Sequence, residues 1–68
     1  MDNWHDAKTD PPKKVDFYIA TLITVNDHRY VQTLFYRPMK KGWMTPDMEV
    51  VDGEDVLYWM DFPDPKED

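Results

Sequence analysis

The segment VDFYIATLITV, Val15 to Val25, is built mostly from β-branched and aromatic residues and holds neither glycine nor proline. Such side chains suit a pleated, half-buried surface and lose rotamer freedom in a helix, so the segment predicts a long strand. Alternation puts Val15, Phe17, Ile19, Thr21, Ile23 and Val25 on one face, and Asp16, Tyr18, Ala20, Leu22 and Thr24 on the other. The second face is mixed. That pattern predicts a strand covered on one side and partly covered on the other.

The rest of the chain follows from this strand. Asn26 to Arg29, NDHR, is turn chemistry, because Asn and Asp tolerate left-handed backbone. Tyr30 to Arg37, YVQTLFYR, then returns as a second strand, and Pro38 ends it because proline cannot donate to the ladder. Lys40-Lys41-Gly42 is a turn, and GWMT is an edge strand. Pro46 to Asp55 reads as a loop punctuated by Asp52-Gly53, and Val56 to Met60, VLYWM, as a last strand with apolar residues on both faces. Pro63 and Pro65 forbid further pairing and protect the sheet edge.

The fold expected is a small all-β domain, a three- to four-stranded antiparallel meander around an aromatic core. A helix across Pro46–Asp55 would make it α+β instead. One domain spans residues 1–68: an irregular lead-in at 1–14, a sheet core at 15–62 and a frayed acidic tail at 63–68.

A chain of 68 residues without cysteine has no disulfide staple. It buries only about 60% of its unfolded surface, so ten aromatics must supply much of the core. The core is expected to centre on Phe17, Ile19, Ile23, Leu34, Tyr36 and Trp59, with Trp4 as a lid. Trp4, Trp43 and Trp59 form one closing cluster in the first reading; in the second, Trp43 beside Gly42 is an exposed anchor for a partner.

Charge is unevenly placed. Residues 1–44 carry seven Lys/Arg and five Asp/Glu, while residues 45–68 carry one Lys and nine Asp/Glu, within a net charge of −6. Phosphate binding needs clustered cations, so direct binding of nucleic acid is not expected and a basic protein surface is the better match. No apolar run approaches the roughly 20 residues that span a bilayer, and the opening MDNWHDAKTD is the reverse of a signal peptide. These features, with the absence of cysteine, predict a cytoplasmic protein with no membrane contact.

Trp4, the segment TDPPKK, the hairpin Val15 to Arg37, Gly42-Trp43 and the closing YWMDFPDP, Tyr58 to Pro65, together resemble domain of unknown function 551. Members of that family are small proteins of tailed phages and prophages that end in a WMPLPEPP-like motif. Tyr58 stands where His is common there, and Asp61 where the first Pro is common. The resemblance implies a phage or prophage origin, an infected or lysogenic host cell as the setting, and a compact β domain. It implies no catalytic residues.

The chemistry-bearing residues point the same way. There is no Ser or Cys, and only His5 and His28 could act as bases, so no nucleophilic constellation is expected. Asp2, His5 and Asp6 are ligand types without a metal-site spacing, and Asp52 to Asp55, DGED, lacks the remainder of a calcium loop. No enzyme, cofactor or metal is expected. The partner-binding residues expected are Trp43, Asp47, Glu49, Asp52, Glu54, Asp55, Asp61 and Asp64. They suit a protein-interaction module that presents carboxylates to a basic groove of a host or phage protein. Its sharpest form is an inhibitor of a host nucleic-acid-handling or defence system by charge mimicry. The alternative is an assembly protein that forms a homo-oligomer through exposed aromatics. Lys13-Lys14, Arg37 and Lys40-Lys41 are expected to flank strand ends, where lysines deter edge pairing.

Overall fold

The computed structural model of the chain describes residues 3–62. It is nearly all β, with one antiparallel sheet: β1 His5–Asp6, β2 Asp16–Ile23, β3 Arg29–Arg37, β4 Gly42–Met44, β5 Val50–Val51 and β6 Val56–Met60. The spatial order is β1-β6-β2-β3-β4-β5. β2, β3 and β4 form the first three strands of the expected meander, and β5 extends it from a segment expected to be loop. The chain then crosses back, so β6, expected as the meander's last strand, pairs with β2 instead, while β1 extends the far edge. Six strands replace the three or four expected, because two-residue pairings at His5–Asp6 and Val50–Val51 leave no alternation to read in sequence.

The segment 46–55 is not an α-helix. It holds β5 and a single 3-10 turn at Gly53–Asp55, with the Asp52 carboxylate accepting from the Glu54 N–H at 3.0 Å. Asp52 bonds its neighbouring backbone, as short polar side chains do at turns. Met1, Asp2 and residues 63–68 lie outside the described residues, and with them the reading of Pro63 and Pro65 as a stop.

Three hairpin turns each place one non-glycine residue in left-handed backbone: Asp27 at φ 65°, Lys41 at φ 49° and Met48 at φ 72°. The first and third turns share one hydrogen-bond pattern. Thr24 N–H donates to His28 O at 2.9 Å and Asp27 N–H to Thr24 O at 3.0 Å. Likewise Thr45 N–H donates to Glu49 O at 2.8 Å and Met48 N–H to Thr45 O at 2.9 Å. This is a tight turn followed by a left-handed residue, which sets the strand register.

The core comprises Ala7, Tyr18, Ala20, Leu22, Leu34, Tyr36, Trp43, Val56 and Trp59. Leu34, Tyr36 and Trp59 stand where expected. Phe17, Ile19 and Ile23 do not: β2 buries its mixed face and turns its apolar face outward. Register explains the choice. Tyr18 lies opposite Leu34, and Ala20 opposite Trp59, so Ala20 leaves space for the indole that a larger side chain would fill. Tyr18 is buried at no polar cost, because its hydroxyl donates to Lys14 O at 2.9 Å.

β6 also departs from strict alternation. Thr21 pairs with Tyr58 and Leu22 with Val56, leaving Leu57 as the extra residue of a bulge. The bulge brings Val56 and Trp59 to the same side, and both are buried. Trp43 and Trp59 share the core with Tyr18 and Tyr36 through ring contacts of 4.5 to 6.4 Å between centroids. Trp4 is not the lid. It lies on the opposite side of the sheet, beside Thr21, Arg29 and Tyr58. β1 alternation accounts for this, since His5 faces Trp59 and its neighbours face away.

The lid is instead the lead-in itself. Trp59 Nε1 donates to Asp10 O at 2.7 Å, and Ala7 N–H donates to Leu57 O at 3.0 Å. Ala7 and Pro12 are buried. Lys8 Nζ reaches Glu54 Oε2 at 3.1 Å, where the lead-in runs beside the 3-10 turn that precedes β6. The lead-in thus covers one face of the sheet and leaves the other outside. No helix among the described residues is long and apolar enough to cross a membrane.

Candidate functional site

Three surfaces carry chemistry. The first is the acidic segment after β4. Asp47 and Glu49 sit in the β4–β5 turn, and Asp52, Glu54 and Asp55 in and beside the 3-10 turn. All five are exposed. Glu49 N–H donates to Thr45 Oγ1 at 3.1 Å, which fixes the turn's backbone and leaves the Glu49 carboxylate to solvent. Glu54 pairs with Lys8. That pair is exposed on both sides, so it contributes little to stability.

The other expected partner residues are placed differently. Asp61 lies away from the acidic segment, in a groove shared with Lys13, Lys14, Tyr18 and Trp59. Asp64 is outside the described residues. Trp43 is 3% exposed and packs its ring on Tyr36 at 4.5 Å between centroids, so this indole is a core residue in the single chain. The feature that draws attention to Trp43 in sequence, a preceding glycine after two lysines, marks only the end of a turn. Nothing there reports that β5 will cover the ring's strand.

The second surface is the groove at the sheet end where β2 begins and β3 finishes. Lys13, Lys14, Arg37, Lys40 and Lys41 all belong to this end, because β2 starts opposite the last residues of β3. In the same groove His5 Nδ1 lies 3.3 Å from Asp10 Oδ2, and the imidazole packs on Trp59 with 4.5 Å between ring centroids.

Asp6, next to His5 in the strand, points elsewhere. Its Oδ1 accepts from Lys8 N–H at 2.9 Å and Thr9 N–H at 3.1 Å. Those bonds favour the charged carboxylate and hold its pKa below the usual value of 3.8. His5 and Asp6 therefore do not converge on one point. Among the described residues no three His, Asp or Glu side chains do.

The third surface was hidden from sequence reasoning. The outer face of the sheet carries Phe17, Ile19, Thr21 and Ile23 of β2, Val31, Thr33 and Phe35 of β3, Tyr58 and Met60 of β6, and Met44 and Val50 of β4 and β5. Phe17 is 45% exposed, Val31 61% and Val50 82%. Phe17 and Phe35 meet edge to face at 5.0 Å, and the Arg37 guanidinium sits 6.0 Å from the Phe35 ring centre. The one trace of this surface in the sequence is the run Val15, Phe17, Ile19, Ile23 and Val25 on one side of the β2 segment, interrupted by Thr21, which alternation alone assigns to the core.

No protein-family model, no characterised protein and no solved structure matches the chain.

Proposed function

We propose that the protein is a small acidic protein-interaction module that engages a basic surface on a host or phage protein. The observation that supports this most directly is the segment Asp47–Asp55. Five exposed carboxylates are held there within nine residues, and Lys8 is the only cation paired with them among the described residues. A turn bonded through Thr45 and a 3-10 turn bonded through Asp52 keep the backbone of the segment ordered. Pre-ordered charge loses less conformational entropy on binding than a floppy acidic tail would.

In its sharpest form this is charge mimicry: the carboxylates occupy a basic groove that otherwise receives nucleic-acid phosphates, and so inhibit a host nucleic-acid-handling or defence system. The motif likeness at Trp4, Gly42-Trp43 and Tyr58 to Pro65 supports a phage or prophage setting and the host cytoplasm as the place of action. It rests on those motif residues alone. The alternative, self-assembly through exposed aromatics, draws on a different surface, the outer face of the sheet with Phe17 and Phe35.

The test is capture of partners from host lysate at low and high salt, with the wild-type chain and with D47N/E49Q/E54Q/D55N. Electrostatic steering is screened over about 8 Å at physiological ionic strength. A specific protein captured at low salt, and lost both at high salt and with the neutralised variant, supports the reading. Capture indifferent to both changes overturns it.

A further inference from the structure

We propose that the open edge of β3, from Arg29 to Thr33, takes up an extended segment of a partner protein as an added antiparallel strand, with a basic residue at that segment's N-terminal end. The inference stands on backbone pairing and goes beyond the acidic-segment reading, which supplies only the charge at one end.

β3 is nine residues long, but β4 pairs only with Phe35, Tyr36 and Arg37. β4 stops because Pro46 has no N–H to continue the ladder, and Thr45 donates its own to Glu49 O at 2.8 Å, on the β5 side.

The direction of the remaining backbone groups follows from the register. Thr24 N–H donates to His28 O at 2.9 Å, so this pair, next after Ile23 and Arg29, is a bonded one between the two chains of the hairpin. Bonded and non-bonded pairs alternate along an antiparallel ladder. Tyr30, Gln32 and Leu34 therefore bond to β2, while Arg29, Val31 and Thr33 turn their N–H and C=O groups to the other side. Arg37 is in the same phase, and its C=O accepts from Lys40 N–H at 3.1 Å in the β3–β4 turn. Among the described residues no strand pairs with Arg29, Val31 or Thr33 on that side.

Open edges are ordinarily blunted by short strands, lysine, proline or a bulge. The outermost strands, β1 and β5, are two residues each. The run Arg29–Thr33, RYVQT, has no Lys, Pro or bulge, and Val31 is 61% exposed. Main-chain groups aligned in this way bind an extended chain, and alternate side chains select it.

Charge and space select the occupant. An added antiparallel strand runs in the direction of β4. Its N-terminal end abuts the β4–β5 turn, with exposed Asp47 and Glu49, and its C-terminal end reaches Arg29. A cation first and an anion last match those neighbours. A second copy of β3 does not fit. Pairing β3 with β3 about Val31 would set His28 of the second copy opposite Leu34 and its Asp27 opposite Phe35, the place held by Met44. The two hairpin tips would contend for one position, with Asp27 against Asp47 and Glu49. A shift that clears the tips lays Arg29 opposite Arg29. The occupant is thus a separate extended segment of a partner, with a β-branched residue at its centre to lie beside Val31.

The probe is the blocked peptide acetyl-Lys-Thr-Val-Thr-Glu-amide, added to the full chain, with amide hydrogen exchange by NMR as the readout. In the free chain the Val31 and Thr33 amides are expected to exchange freely while those of Gln32 and Leu34 are protected. Saturating peptide is expected to protect Val31 and Thr33. V31P removes an edge donor that β2 does not use, and is expected to weaken binding about 5-fold or more, as loss of one hydrogen bond does. Near-ultraviolet circular dichroism from the buried indoles reports that this variant is folded; if it is not, the exchange pattern of the wild type decides alone. The peptide with Lys and Glu exchanged is expected to bind more weakly. Val31 and Thr33 amides already protected in the dilute free chain overturn the proposal, as do no added protection with peptide, binding indifferent to a folded V31P, or equal binding of the exchanged peptide. Protection that rises with chain concentration alone gives the edge to a second copy and overturns it too. The acidic-segment reading stands or falls by salt, and this one by V31P and the exchange pattern.

Discussion

The indole N–H of Trp59 donates to the carbonyl oxygen of Asp10 at 2.7 Å, across 49 residues of sequence. This bond ties the last described strand to the lead-in, while the same indole takes Tyr18 edge-on at 5.0 Å and His5 at 4.5 Å. One side chain thereby joins β6, β2, β1 and the covering segment. Trp59→Phe keeps most of the ring volume but leaves the Asp10 carbonyl without its donor. The expected cost is about 1–3 kcal/mol. Urea unfolding followed by circular dichroism measures it, and a change under about 0.3 kcal/mol would show that water replaces the bond.

Adjacent residues of β2 face opposite ways, and truncation separates them. Leu22 is buried, whereas Ile23 lies on the outer face. Leu22→Ala is expected to cost about 2–5 kcal/mol, and Ile23→Ala clearly less. A larger loss at Ile23 would mean that β2 buries its other face.

Met48 holds φ 72° in the β4–β5 turn with its side chain exposed. Left-handed backbone costs a side-chain-bearing residue roughly 1–2 kcal/mol and costs glycine almost nothing, although glycine also loosens the unfolded chain. Met48→Gly is therefore expected to raise Tm by about 3–6 °C, as a gain of 0.5–1 kcal/mol does in a domain this small. Thermal melts decide it, and a lowered Tm would contradict the turn geometry.

Burial pushes the Tyr18 and Tyr36 hydroxyls above their ordinary value of 10.0, and for Tyr18 the nearby Asp61 and Asp16 carboxylates push further. The folded chain keeps these protons to higher pH than the unfolded chain does. Their contribution is fully present below pH 10.0 and is lost as pH rises through the folded values. Alkaline titration followed by tyrosinate absorbance and circular dichroism is expected to show part of the tyrosine titrating together with unfolding. Smooth titration of every tyrosine in a chain that stays folded would contradict the burial.

Asp6 gives the opposite dependence. Its carboxyl is held below 3.8 by the Lys8 and Thr9 amides, so its contribution is present above that pH and is lost as pH falls through the lower, folded value. Asp6→Ala is expected to flatten the acid limb of the stability curve below pH 3.8. An unchanged limb would mean the turn holds without the carboxylate.

Sequence alone determined the two long central strands, the turns between them and the class of the fold. Those features follow from local chemistry: β-branched runs exclude helix, and Asn, Asp, Pro and Gly punctuate the chain. It also located the acidic segment, because charge is counted residue by residue. The basic residues at one end of the sheet were equally legible, since a hairpin must return its ends to one place.

Only the tertiary structure decided which face of β2 is the inside. A one-residue choice of side is invisible when both faces carry apolar groups, and it was settled by Ala20 beneath the Trp59 indole and by the β6 bulge at Leu57. The same non-local packing buried Trp43, moved Trp4 outward and left Phe17, Val31 and Phe35 exposed. Each depends on contacts between residues distant in sequence, and periodicity within one strand carries no record of what lies above it.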